Sequence, residues 1–349
     1  MIFVKNNNGD NMHEIDLSKY KVRTDLALES LEQENINSNN IKKYDDVVVT
    51  TIQVDESLSK KLNKKIGTYI TIEFDDVTDT NNKKHVEKIF SMYLKKLLKK
   101  EKIKDDASCL IIGLGNINST PDSLGPKVIK NVLVTNHLFM YGEVEEGFRK
   151  VFSITPGVTG QTGIETSELI KGIIDKVKPD FVVAIDSLAS GSITRVNKTI
   201  QITNTGIHPG SGIGNHRKEI SFETLNIPVI ALGVPTVVDA VTIVSDTIHY
   251  MYDYFAYTKT TINKPSTKLS VSTPNYLNKN LHIDDSTKKQ LFGMIGSLDE
   301  EEIRRLMLEV LTPIGYNLMV TPKEIDFIID KLSDLISNGI NVALHKKIK

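Results

Sequence analysis

The chemistry in this chain gathers around two aspartates, each delivered after an apolar run. The first run, Cys109-Leu-Ile-Ile112, reads as a buried parallel strand. Gly113-Leu-Gly-Asn116 follows, small residues that let the backbone turn sharply at the strand's C-terminal edge. Asp122 comes next, just ahead of a helical pattern, in Thr120-Pro-Asp-Ser-Leu-Gly-Pro126. The second run, Phe181-Val-Val-Ala-Ile185, is ended by Asp186. In open α/β sheets, ligands and chemistry sit at the carboxyl ends of the strands. Two carboxylates placed there can face each other across one crevice, which suits an acid/base pair or a hard-metal site. A plainer reading stands beside it, because an aspartate after a strand is often a helix cap or a turn former. Gly-Leu-Gly-Asn falls short of a dinucleotide fingerprint: the third glycine is missing, and no acidic residue lies at the expected spacing on a following strand.

Two loops are rich enough in glycine to let backbone approach a ligand or an extended peptide. Thr155–Gly163 holds Gly157, Gly160 and Gly163. Gly206–Lys218 holds four glycines, His208, His216, Arg217 and Lys218. His208 is a candidate ligand or proton donor, although loop histidines are often only solvated.

The elements that must position these residues alternate from about Ser108 to Phe255. Strands are expected at 109–114, 181–185, 198–203 and 228–233, and helices at 124–139, 164–178 and 236–255. That alternation predicts an α/β fold, a mostly parallel sheet with helices on both faces. Ahead of it, Val47–Val54 and Ile66–Glu73 are β-rich and can pair as antiparallel strands. A helix over about 84–100 carries Val86, Ile89, Phe90, Tyr93, Leu94, Leu97 and Leu98 on one face. Residues 1 to about 45 read as a weakly ordered or separately docked leader. The polar stretch 258–288 reads as a long connection. Helices are expected to start at Ser297 and at Thr321-Pro322 and to close the chain.

Composition narrows the field. The 349 residues allow one large or two modest domains, and 40% hydrophobic with 25% charged residues is ordinary for a globular chain. A net charge of −1 offers no global field for nucleic acid or membrane. The single cysteine, Cys109, forms no internal disulfide and reads as a core residue in a reducing compartment. No run is long enough to span a membrane, and no signal peptide opens the chain, so the expected location is cytoplasmic.

Several stretches together resemble the germination proteases of endospore-forming bacteria, which degrade small acid-soluble spore proteins. They are Val22-Arg-Thr-Asp-Leu-Ala-Leu-Glu29, Gly113-Leu-Gly-Asn116, Thr120–Pro126, Gly163-Ile-Glu-Thr-Ser167 and Ala184-Ile-Asp186. Gly206–Gly212, Arg217-Lys-Glu-Ile220, Val234–Ala240 and Asn317–Glu324 continue the match in order. The resemblance implies a zymogen that removes its own leader, cutting after an acidic residue and before a large hydrophobe and Ala. Asp25-Leu26-Ala27 fits, so Asp25–Leu26 is the expected processing bond, with 1–25 a pro-segment and 26–349 a single catalytic domain. It also implies Asp122 and Asp186 as the catalytic pair, a homotetramer, and a location in the forespore and spore core. The implied fold is similar to that of the hydrogenase-maturation endopeptidases. The family pattern differs at Ser187 (usually Ala), Gly191 (usually Arg), and Thr159 and Gln161 (often Met).

The combined expectation is an endopeptidase zymogen in which Asp122 and Asp186 share a proton, without a cofactor. The amides of Gly115, Asn116 and Gly125 are oxyanion candidates. Arg217, with Lys218 and Arg195, is a candidate cation for an acidic substrate residue. One alternative is a divalent metal on Asp122, Asp186 and His208. The other is a non-catalytic binding module whose aspartates only cap.

Overall fold

The computed structural model describes residues 24–38, 40–142, 144–210, 217–261, 283–311 and 318–348. The N-terminal half runs through α1 (Ala27–Gln33), β1 (Ile41–Tyr44), β2 (Val47–Val54), α2 (Glu56–Leu62), β3 (Gly67–Glu73), α3 (Thr80–Lys100), β4 (Cys109–Gly113), α4 (Leu124–Asn131), α5 (Asn136–Tyr141), β5 (Val151–Ile154), α6 (Thr159–Thr162) and α7 (Thr166–Val177). The rest comprises β6 (Phe181–Ser190), β7 (Thr199–Thr203), α8 (Phe222–Leu225), β8 (Val229–Asp239), α9 (Ala240–Thr261), α10 (Asp285–Phe292), α11 (Glu300–Leu311), β9 (Met319–Val320) and α12 (Ile325–Leu344).

The strands form one mixed α/β sheet in the order β1-β2-β3-β7-β8-β6-β4-β5, with β9 against the far end of β8. The half that carries the aspartates, β5-β4-β6-β8, is parallel. The apolar runs are buried on both faces, which is why they do not alternate. Cys109 and Ile111 of β4 join a core with α3, α4 and α12, whereas Leu110 and Ile112 join a second core with Ile170 and Ile174 of α7. From β4 the chain moves outward to β5, then returns to β6 on the other side of β4. That reversal opens a crevice at the carboxyl ends of β4 and β6.

Close packing fixes this crevice. A Cβ at Gly125 would stand 2.3 Å from the carbonyl oxygen of Leu114 and 2.7 Å from that of Ile185. Only glycine lets the first turn of α4 press this near to β4 and β6.

Several elements depart from the sequence pattern. β7 is antiparallel to both β3 and β8, because it joins the N-terminal hairpin to the parallel half. β6 continues beyond Asp186 to Ser190, since β8 still pairs with it after β4 has ended. β8 likewise runs to Asp239, and α9 starts only there, its first turn capped by Asp239 Oδ1 accepting from Thr242 N–H at 2.7 Å. The helix expected over 124–139 divides at Val132, where Thr135 turns inward to bond the backbone of Arg149 and Val151. Asp299, not Ser297, caps α11, accepting from Glu302 N–H at 2.8 Å. α12 begins at Ile325 rather than at Pro322. The leader does not stay apart as far as residue 45: α1 buries Ala27, Leu28 and Leu31 against Ile52, Val54 and Tyr69 of the β2–β3 hairpin, and β1 pairs with β2. Residues 1–23, and 262–282 of the expected connection, lie outside the described residues.

Candidate functional site

Asp122 closes a single 3-10 turn, Thr120–Asp122, between β4 and α4. The loop is wrapped around it. Asn116 N–H donates to Asp122 Oδ2 at 2.8 Å and to its main-chain oxygen at 3.0 Å. From β8, Thr236 Oγ1 donates to the Pro121 carbonyl at 2.7 Å. Gly115 has φ +110°, and a Cβ there would lie 2.1 Å from the Asp122 carbonyl oxygen. The glycine turn thus serves the carboxylate directly.

Asp186 is 4% exposed, on the strand face shared by Val182 and Ala184. Its Oδ1 accepts from Ser187 N–H at 2.9 Å. Burial pushes its pKa well above the usual carboxylate range, and the charges of Asp122 and Asp25 push it further; Arg217 opposes them. Burial also raises Asp122, against the Asn116 hydrogen bond and the charge of Arg217. Two carboxyls and one guanidinium therefore share a neighbourhood in which both acids do not ionise cheaply. Asp186 is the better proton holder, and Asp122, with its amide donor, the better anion.

The other candidates fare differently. The Asn116 amide is taken by Asp122, so it is not a free oxyanion donor as expected from the turn. The Asn116 side chain accepts from Gln161 Nε2 at 2.8 Å, which brings one of the atypical loop residues to the site. Gly115 and Gly125 stand where backbone packs closely against backbone. His208 pairs instead with Glu219, Nε2 to Oε2 3.0 Å. Among the described residues, no group of three or more His, Cys, Asp or Glu could hold a metal, so His208 does not complete a set with Asp122 and Asp186. The charge of Arg217 reaches both aspartates and favours their ionised forms. Lys218 pairs with Glu168 at 2.8 Å, and Arg195 is held by Glu73 at 2.9 Å and by both oxygens of Glu32 at 2.6 Å. Cys109 is buried, and burial pushes its thiol up, away from thiolate chemistry.

The segment Thr24–Ala27 is docked on the sheet. Asp25 N–H donates to the Ala189 carbonyl at 3.1 Å, and Asp25 Oδ2 accepts from Ala189 N–H at 2.9 Å. Leu26 and Ala27 are both 0% exposed. Behind them, the buried Glu29 accepts from Ser190 Oγ and from Gly191 N–H, each at 2.6 Å, and from the Thr24 hydroxyl. The cation nearest this stretch is Lys64, whose Nζ donates to the carbonyls of Thr24 (2.9 Å) and Asp25 (3.1 Å). Sequence reading missed Lys64 and Gln201. Lys64 is one of several lysines in Lys60–Lys65, and Gln201 sits in an unremarkable strand, so nothing local marks either one. Glu29 lies in the Val22–Glu29 stretch, and that motif is the local signal that marks it.

Comparison with known proteins agrees on one family. A model of the germination proteases matches residues 13–349. Germination proteases from Bacillus cereus and Bacillus mycoides are each 50% identical over 353 residues, covering 96% of this chain and 96% of theirs. Among solved structures, a [NiFe] hydrogenase maturation protease from Thermococcus kodakarensis is 18% identical, with a TM-score of 0.25 over 37% of this chain and 74% of that one. A likeness that slight carries no weight here.

Proposed function

This chain belongs to the germination protease family, and on that premise we propose that it is an endopeptidase zymogen that cuts its own Asp25–Leu26 bond. In its shortened form it opens the degradation of small acid-soluble spore proteins in the spore core, as a homotetramer. Asp122 and Asp186 act as a dyad. One observation supports this reading: Asp122 and Asp186, two carboxyls pushed up by burial, stand at the sheet's switch point, with the acidic-hydrophobic-Ala triplet docked on β6 within electrostatic reach of Asp186.

The mechanism follows from their unequal surroundings. Asp122 is the ionised member and takes a proton from water. Asp186 holds the shared proton and gives it to the substrate carbonyl as charge develops. Water's oxygen bonds to the carbonyl carbon, the C–N bond breaks, and a proton passes to the leaving amine. Arg217 limits the accumulation of negative charge around the pair.

The test is N-terminal sequencing of the full-length chain after incubation under mildly acidic conditions. The matured protein should begin at Leu26, and Asp122→Asn and Asp186→Asn chains should stay uncut. A start elsewhere, or a cut in either variant, defeats the reading. Loss of activity to a chelator, with recovery on adding a divalent ion, would replace the dyad by metal-assisted hydrolysis.

A further inference from the structure

The carbonyl of the bond to be cut is already gripped by two side chains that the dyad does not include. Lys64 Nζ donates to the Asp25 oxygen at 3.1 Å, and Gln201 Nε2 donates to the same atom at 3.1 Å. Gln201 also accepts from Ala27 N–H through Oε1 at 2.8 Å. One amide side chain therefore brackets the bond, holding the Asp25 carbonyl before it and the Ala27 N–H one residue beyond it, while Leu26 N–H itself donates to Thr24 Oγ1 at 3.0 Å. Asp25 itself is paired with Ala189 on both its N–H and its carboxylate, so the residue before the bond cannot rotate away. Gln201 is buried at 6% exposure.

We propose that Lys64 and Gln201 form the oxyanion hole for self-processing. The inference rests on the reading that the chain cuts itself after Asp25. When water adds to the Asp25 carbonyl carbon, the C=O electron pair moves onto oxygen, where the Lys64 ammonium and the Gln201 N–H meet it. Collapse of that intermediate breaks the C–N bond, leaving a new α-carboxylate on Asp25 and an amine on Leu26. Donors aimed at the atom where charge develops favour the transition state over the resting peptide, and an ammonium does so more than a neutral amide. Burial works against the charge of Lys64, and the carboxylates of Asp25 and Glu29 support it. The same two donors lose their Asp25 partner once residues 1–25 leave, and a substrate residue in the place of Asp25 would meet them in turn.

The experiment follows self-processing of full-length chains by N-terminal sequencing and gel densitometry, with folding checked by thermal melting. Gln201→Glu keeps the acceptor for Ala27 N–H but replaces the donor with a carboxylate, and Lys64→Met keeps the length but removes the charge. Each is expected to slow processing at least 100-fold, the loss typical of a single oxyanion donor. Lys64→Arg, which keeps the charge, should recover at least tenfold over Lys64→Met. The proposal is overturned if a folded Gln201→Glu or Lys64→Met chain processes within threefold of the parent, or if Lys64→Arg is no better than Lys64→Met. If one variant does not fold, the other decides, and the Arg-against-Met comparison stands at Lys64. A parent chain that does not begin at Leu26 would instead defeat the self-cutting premise.

Discussion

Gly115→Ala is expected to damage the protein through its backbone, without touching a charge. The residue holds φ +110°, and an added Cβ would stand 2.1 Å from the Asp122 carbonyl oxygen and 3.0 Å from Asp122 Oδ1. Strain at such a φ costs about 1–3 kcal/mol. Relieving the overlap costs a similar amount, about 1–3 kcal/mol. Stability should therefore fall by about 2–6 kcal/mol. The relief must move Asp122, because the clashing atom is its own backbone. Asp122 then loses the Asn116 N–H bond, now 2.8 Å long. A hydrogen bond to a charged group is worth about 1.5–3 kcal/mol, so the folded variant should process itself roughly 10- to 100-fold more slowly. Gly172→Ala is the control: it lies inside α7 with nothing within 4 Å of the new methyl, and should gain about 0.5–1 kcal/mol. Urea unfolding followed by circular dichroism gives the stabilities, and gel densitometry well below the melting point gives the rates. A Gly115→Ala chain within about 1 kcal/mol of the parent, processing within threefold, would refute the claim that this turn is built around Asp122.

Other outcomes follow from the same geometry. Asp186 has a raised folded pKa, so its contribution to stability is complete below its unfolded pKa, about 3.9, and is lost as pH rises through the folded value. Asp186→Asn should thus match the parent at low pH and exceed it at neutral pH, read as the difference between two pH–stability curves. A variant less stable than the parent at neutral pH would contradict this. Glu29→Ala removes the acceptor of Gly191 N–H, and that donor left unpaired costs about 1–3 kcal/mol, measurable by denaturant titration, whereas Ser190 Oγ keeps the Ser192 carbonyl at 2.8 Å. Leu26→Ala should cost about 2–5 kcal/mol for its wholly buried side chain, whereas Leu26→Asp should also prevent the cut, visible as retention of the full-length band.

Much of this protein is written in local pattern. The unbroken apolar runs of β4 and β6 announce buried parallel strands, because a strand covered on both faces has no reason to alternate. The glycines after β4 announce a turn in which backbone passes close to backbone, and they place Asp122 at the sheet's edge. Asp25-Leu26-Ala27 is likewise legible, as a short motif of fixed composition. What local pattern does not carry is the choice of distant partners. β7, Thr-Ile-Gln-Ile-Thr, follows the parallel strands in the chain, and its direction is set by its neighbours: it runs antiparallel to β3 on one side and to β8 on the other. β6 runs on past Asp186 only because β8 remains beside it. The strongest case is the docked bond: Ala189 meets Asp25 across 164 positions, and Gln201 meets it across 176. A lysine, a glutamine and an alanine have nothing in common along the chain. They meet because the sheet brings β6, β7 and the connection before β3 under the start of α1, where Asp25 must satisfy its backbone groups as Leu26 is buried. Burial also sets the two aspartates apart, pushing Asp186 well above the usual carboxylate range and Asp122 less so, since pKa depends on what surrounds a carboxyl in space, and both residues are written with the same letter.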